Sequence, residues 1–452
     1  METFIRVTQF FLSLSLLVLL HEWGHFIAAR MFKTRVEKFY LFFDFLFPFP
    51  KLLNFALFKK KIGDTEYGLG WFPMGGYVSI AGMMDETKDS GDLDSTPKPD
   101  EYRSKKAWQR LIILLGGIIV NLILAFFIYS MLLFAYGKET IPMENAKYGF
   151  VADSLAQSIG FKSGDIMVGY DNKQKFTDAG TSVVVDLLLA DAQNVQVLRN
   201  GQPLSIDIPD YVYPAIVNSR GEIEFLKIAF PSDIDSVLPQ SPVYGKMQKG
   251  DRVINVAGTP INYFAEIGQV LKQNRSKTIP VTVLRGTDTV TMQAAIPAEA
   301  KLNIAAVSPE NYFEVKKTSY GFLASFPAGF VMCKEVLTKY IKQFRLIFSP
   351  RFKGWKQVGG FASISKLYTT YWDWQAFWMS TAFLSLVLAF MNLLPIPMLD
   401  GGYALFTLVE MIIGRPLPEK FLEYSQMIGM VFILTLLVVA NGNDLLRALF
   451  GN

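Results

Sequence analysis

Apolar residues are unevenly spread along this chain. They dominate residues 7–29, 108–136, 377–413 and 427–440, while the stretch between the second and third runs alternates like an ordinary soluble protein. The first run, as a helix rising 1.5 Å per residue, is about 34 Å long and matches the hydrocarbon thickness of a bilayer. Its basic residues, Arg30, Lys33, Arg35 and Lys38, follow the apolar stretch. A signal peptide carries them in front, so this run is read as an anchor. Arg103, Lys105, Lys106 and Arg110 precede or open the second run. The loop between the two is therefore expected in the cytoplasm, with the N-terminus and everything directly after span two outside. The third run is too long for one straight span and is interrupted by Asn392-Leu-Leu-Pro395-Ile-Pro397-Met-Leu-Asp400-Gly401-Gly402. Proline removes helix donors, and broken helix at membrane depth persists only beside protein or a water-filled cavity. A turn carrying Arg415 and Lys420 leads into the fourth run. The pattern predicts a polytopic α-helical membrane protein with about four transmembrane helices.

Between spans one and two, residues 67–80 read as a glycine-rich, membrane-associated β-hairpin, and residues 39–50 are crowded with phenylalanine. Gly75, Gly76, Tyr77 and Val78 would offer a strand edge on which a substrate could be held extended. The alternative is an interfacial loop anchored by aromatic side chains. Residues 145–300 contain an internal repeat: Gly164-Asp165 and Gly250-Asp251 stand 86 residues apart, each followed by strand, turn, helix, strand (VQVLRNG, VTVLRGT) and a last strand. Both copies resemble PDZ domains, small α+β modules that grip peptides at a sheet edge, although the usual carboxylate-binding loop is not recognisable. Residues 306–373 are aromatic, basic and partly amphipathic, and are expected to lie on the outer membrane surface.

Composition narrows the picture. Half the residues are hydrophobic (51%), only 19% are charged, and mean hydropathy is +0.27, whereas a soluble domain carries about 25% charged residues. A net charge of +4 without a basic run interleaved with aromatics gives no indication of nucleic acid. Cys333 is the one cysteine, so no intrachain disulfide or Cys-rich zinc knuckle is available.

Candidate chemistry lies inside the first span. The two histidines of the chain, His21 and His25, are four apart with Glu22 between them. On a helix they share a face. H-E-x-x-H in this setting supplies two nitrogen ligands for Zn2+ and a carboxylate, Glu22, able to act as general base on the attacking water. A hydrolytic zinc site needs a third protein ligand, which here must be a carboxylate or Cys333. Asp400, at the break of the third run, is the leading candidate because a carboxylate inside a span is costly and by default functional. Glu410 is the rival, expected to face the cytoplasmic interface as a solvated or paired residue. Asn392 would hold substrate backbone or a developing oxyanion, or else satisfy carbonyls freed by Pro395. Asn121, preceded by Gly116-Gly117, reads mainly as a close-packing helix face with an interhelical hydrogen bond.

Taken in order, His21-Glu22-x-x-His25, Met74-Gly-Gly-Tyr-Val78, Gly117-x-x-x-Asn121, the tandem repeats and Asn392-x-x-Pro-x-Pro-x-Leu-Asp400-Gly-Gly make the chain resemble the site-2 protease family, in its bacterial, sigma-E-regulating branch. The resemblance implies an intramembrane zinc endopeptidase with His21, His25 and Asp400 as ligands and Glu22 as base. It further implies single-span substrates of the anti-sigma factor type, first trimmed outside by a site-1 protease, and remnant signal peptides. The expected location is the bacterial inner membrane, with the active site toward the cytoplasm and an extracytoplasmic PDZ pair filtering substrates by size. The expected division is 1–32 (span one), 33–106 (cytoplasmic loop), 107–137 (span two), 145–215 and 216–305 (PDZ-like domains), 306–373 (interfacial), 374–414 (broken span three) and 424–445 (span four). The chain departs from the family at Ile118, where proline usually follows the glycine, and over 42–61, which is long and phenylalanine-rich. A metal transporter using the same ligands, or a PDZ scaffold with a vestigial metal site, are the competing classes; one compact polar cluster argues against the first and intact ligands against the second.

Overall fold

The computed structural model describes residues 2–46, 53–73, 75–83, 96–171, 174–176, 178–179, 183–219, 223–352, 354 and 358–450. Met74 and residues 47–50 of the phenylalanine-rich stretch lie outside the described residues. The chain forms two compact units: residues 1–137, 319–341 and 358–452, and residues 138–318 with 342–357.

The first unit starts with α1 (Glu2–Met31), β1 (Val36–Leu41), β2 (Ala56–Ile62), β3 (Thr65–Gly70), β4 (Tyr77–Ile80) and α2 (Ala107–Tyr136). The second holds β5 (Lys138–Thr140), β6 (Phe150–Ala152), α3 (Ser154–Ser158), β7 (Ile166–Tyr170), β8 (Gln174–Lys175), α4 (Val183–Ala190), β9 (Asn194–Arg199), β10 (Gln202–Asp207), α5 (Val212–Asn218) and β11 (Leu226–Ile228). It continues with β12 (Ile234–Val237), β13 (Arg252–Val256), β14 (Thr259–Pro260), α6 (Phe264–Gln273), β15 (Thr278–Arg285), β16 (Asp288–Ala295), β17 (Ile304–Ala306) and β18 (Lys316–Thr318). Then come α7 (Phe322–Ile347), α8 (Phe361–Ser365), α9 (Trp374–Leu393), α10 (Asp400–Ile413) and α11 (Glu419–Phe450).

Among the described residues, four helices are long and apolar enough to cross a membrane: α1, α2, α9 and α11. The glycines of α1 and α2 decide how closely these two pack. A Cβ at Gly24 would collide with the Gly116 backbone, and one at Gly116 with that of Gly24. Further along, Ala125, Ile128, Tyr129 and Leu132 of α2 pack on Ala382 and Leu386 of α9, with Cys333 and Val336 of α7 alongside. The third run is broken as its prolines require: α9 stops at Leu393 and α10 starts at Asp400. Gly401 and Gly402 let α10 fold tightly under the break, since a Cβ at either would strike the carbonyls of Leu393 and Leu394 or of Ile396.

The small sheet of the first unit corrects one expectation. Its order is β2-β3-β1-β4, with β1 parallel to β3 and antiparallel to β4. The two arms of the expected hairpin over 67–80 thus flank β1 and do not pair with each other. The hairpin that forms is β2–β3, closed by Gly63-Asp64. The glycines here serve close backbone approach: a Cβ at Gly70 would meet the Phe43 backbone, and one at Gly76 would meet Tyr40 and Val18.

In the second unit the repeat folds twice in the same order. The sheets β8-β7-β9-β10 and β14-β13-β15-β16 each take one helix, α4 or α6, between their second and third strands in sequence. Each has its own apolar core, around Phe161, Leu187 and Val197 in the first copy and Val253, Leu271 and Val283 in the second. The aligned aspartates hold equivalent posts. Asp165 accepts from Arg199 at 2.7 Å and from the Lys162 amide at 2.8 Å. Asp251 accepts from Arg285 at 2.8 Å and from the Gln248 amide at 2.9 Å. The hydrogen bonds from Arg285 hold the Asp251 carboxyl below the usual carboxylate range. One boundary shifts: β11, placed in the second domain by the division at 215/216, pairs with β6 and completes the first copy.

Candidate active site

The H-E-x-x-H residues sit two-thirds of the way along α1, and the helix period turns His21 and His25 into the protein. Both are buried. Asp400, 375 residues further on, opens α10 directly after the proline break, and its Oδ2 lies 3.1 Å from His21 Nε2 and 3.3 Å from His25 Nε2. The two Nε2 atoms are 3.3 Å apart. One donor atom from each of the three residues lies within 4.8 Å of the others.

The outward ring nitrogens are held by α2. His25 Nδ1 donates to the Ile113 carbonyl at 2.8 Å, which fixes the tautomer with a free Nε2 lone pair. His21 Nδ1 faces the Asn121 side-chain amide at 3.2 Å. Asn121 is fully buried, and with its Oδ1 turned to the ring it accepts the Nδ1 proton and fixes the same tautomer. Gly117 completes the floor, because a Cβ there would stand 2.6 Å from both the His21 ring and His25 Nε2.

These groups open onto a cavity of about 320 Å³. Its lining includes every residue that the sequence assigned to the site: His21, Glu22, His25, Gly75, Gly76, Tyr77, Val78, Asn392 and Asp400. The Val78 backbone amide hydrogen-bonds the Glu22 carboxylate, so the strand β4 touches the candidate base. Asn392 points its side-chain amide at His21 Nε2, 3.2 Å away. It faces the site, and among the described residues its amide is directed to His21 and not to the carbonyls freed by Pro395. Two candidates lie elsewhere. Glu410 is buried in an ion pair with Arg110 at 2.8 Å and accepts from the Leu417 amide. Cys333 packs in the apolar cluster of α2, α7 and α9. Sequence reasoning missed the contact of Asn121 with His21 and the presence of Tyr403, which lines the cavity while its hydroxyl accepts from Gln426.

A cation fits this arrangement. Asp400 Oδ2 is buried without a hydrogen-bond partner among the described residues, and it faces two imidazole nitrogens whose tautomers leave lone pairs toward it. Uncompensated, such a cluster is costly; two histidine nitrogens and one carboxylate oxygen are a donor set that zinc takes in hydrolytic sites.

His21 and His25 stand on α1, a helix long and apolar enough to cross a membrane, and Asp400 opens the short α10 at the break that follows α9, a second such helix. The chain belongs to peptidase family M50, the site-2 proteases, whose profile matches residues 9–436. It is similar to a zinc metalloprotease by name from Vibrio cholerae, 26% identical with 97% of this chain and 98% of the relative covered. A relative from Xylella fastidiosa with the same name is 25% identical over 98% and 99% of the two chains. A third, from Chlamydia trachomatis, is 30% identical over 59% of this chain and 42% of its own. The protein is a zinc metalloprotease of the membrane.

Proposed function

We propose that the protein cuts peptide bonds inside the membrane at a zinc ion held by His21, His25 and Asp400, with Glu22 as general base. The observation that carries this is the meeting of the three donor atoms within 4.8 Å in a cavity that also holds the Glu22 carboxylate. When bound, zinc supplies Lewis acidity, activating water and polarising the scissile carbonyl. The chain supplies the rest. Glu22 takes the proton of the attacking water and returns it to the leaving amine. Asn392, beside the donor cluster, offers its amide N–H to the substrate carbonyl or the oxyanion that develops from it.

A transmembrane helix hides its peptide bonds, so the substrate has to be held extended. Strand β4 is the edge of its sheet, and Gly75, Gly76, Tyr77 and Val78 line the cavity. Addition of a substrate strand to this edge would present the unwound segment to Glu22. The proposed substrates are single-span membrane proteins: anti-sigma factor type proteins trimmed by an earlier extracytoplasmic protease, and remnant signal peptides. The repeated units of residues 138–318 are proposed to be a PDZ pair, outside the bacterial inner membrane, that excludes untrimmed substrates. The test is the Glu22→Gln protein in proteoliposomes with a single-span substrate. Full zinc content with cleavage reduced at least about 10³-fold is expected; cleavage at the native rate overturns the assignment. Zinc flux into the vesicles instead of cleavage would favour a transporter.

A further inference from the structure

The strand β2 is unusual in its sheet. It is the outer strand opposite β4, and every residue of 57–62 is exposed. Leu57, Phe58 and Ile62 stand 65, 62 and 59% exposed, with Leu53 and Phe55 also open just before the strand. An exposed apolar edge of this kind in water would be an aggregation site. Beyond the backbone ladder to β3, the side chains of Lys59, Lys60 and Lys61 form no ion pair or hydrogen bond with any described residue. The acid across from Lys61, Glu66, accepts instead from the Tyr40 hydroxyl at 2.7 Å.

Strand register gives the direction of this surface relative to the first span. Leaving the basic end of α1, β1 runs back along the helix: Val36 packs with Ala28 and Ala29, while Phe43, just past β1, reaches the cavity that holds His21 and Glu22. Since β3 is parallel to β1, Lys38 pairs with Glu66 and Leu41 with Leu69. Since β2 is antiparallel to β3, Lys61 lies level with Glu66, and Ala56 level with Gly70. Lys61 therefore lies level with Lys38, toward the Arg30 end of α1, and Lys60 and Lys59 follow level with Phe39 and Tyr40. Leu57, Phe58 and the residues before them lie toward the level of the cavity. At that deeper end Phe55 stacks on Trp71 at 5.5 Å, and the Trp71 indole donates to the Leu53 carbonyl. Leu57 and Phe58 thus lie toward the span interior and the three lysines toward its edge, with Ile62 beyond them, an order suited to a segment seated in a bilayer interface.

We propose that Lys59, Lys60 and Lys61 bind the headgroups of anionic phospholipids while Leu57 and Phe58 enter the acyl layer of the same leaflet. The occupant of this edge is lipid, and the site is independent of the peptidase reading. Charge complementarity gives each lysine near an anionic surface about a fivefold gain. The apolar residues supply the area-dependent part.

The test uses the full-length protein in nanodiscs of phosphatidylcholine with and without phosphatidylglycerol. A bimane label at Leu57→Cys, on a Cys333→Ala background, is expected to be quenched by nitroxides on lipid acyl chains and shielded from aqueous iodide. Native mass spectrometry is expected to show preferential retention of phosphatidylglycerol. That preference falls at least about tenfold on changing all three lysines to Gln, persists on changing them to Arg, and weakens in high salt. Single Lys→Gln changes give graded losses should the triple variant misfold. Free quenching by iodide in the discs, a preference unaltered in the Gln variants, or crosslinking of two copies through position 57 in place of lipid contact would each overturn the proposal.

Discussion

The two units treat buried polar groups in opposite ways. In the sheet unit, the buried Asp165 and Asp251 are closed on themselves: each is held by an arginine from the equivalent strand and by a backbone amide three residues earlier. In the helical unit, Asp400 Oδ2 is buried with no hydrogen-bond partner among the described residues, and it faces His21 and His25. A satisfied polar group stabilises architecture, whereas an unsatisfied cluster in an apolar setting is retained only if something else binds there. The aspartates of the repeat are therefore read as structural, and Asp400 as a participant in chemistry.

Substitutions separate these roles, and the largest effect is expected at Asp400. Asp400→Ala removes the one carboxylate of the donor set, so the purified protein should lose zinc and cleavage together while helix content by circular dichroism is kept. Gly117→Ala comes next, because the new methyl would occupy the space of the His21 and His25 rings. Zinc content and activity should both fall sharply with only a modest change in unfolding temperature. Asn121→Leu leaves the ligands intact but frees the His21 ring, and zinc affinity measured by chelator competition should drop about 10–100-fold.

The smallest effect lies in the sheet unit. Asp251 has a depressed pKa, so its contribution to stability is complete above the unfolded value of about 4 and disappears as pH falls through the lower folded value. Arg285→Met removes the cause. Acid unfolding of the sheet unit, followed by tryptophan-independent far-ultraviolet circular dichroism, should then begin at higher pH, with zinc content at neutral pH unchanged. Loss of zinc in that variant would break the contrast between the units.

What could be read from sequence follows the range of the signal. The four spans, the break at Pro395 and Pro397, and the facing of His21 and His25 are set by local periodicity and were legible. The repeat was legible through Gly-Asp pairs 86 residues apart. Strand partnership was not, because alternation along 67–80 says nothing of β1 inserting between its arms. For the same reason β11 was assigned to the wrong copy: three residues carry too little pattern to name β6 as their partner. Asp400 could be nominated as the carboxylate at a helix break, and Glu410 is set apart by a partner, Arg110, that only packing reveals. The role of Asn121 beside His21 depends on the rotation of α2 against α1, which Gly24 and Gly116 bring close without fixing from sequence alone.

Zinc K-edge X-ray absorption on the purified protein tests the central claim most directly. Two imidazole nitrogens at about 2.0–2.1 Å with oxygen completing the shell, and collapse of this spectrum in Asp400→Ala, are the predicted result. A sulfur neighbour at about 2.3 Å, which only Cys333 or a methionine could supply, or a spectrum unaltered by Asp400→Ala, would contradict the account.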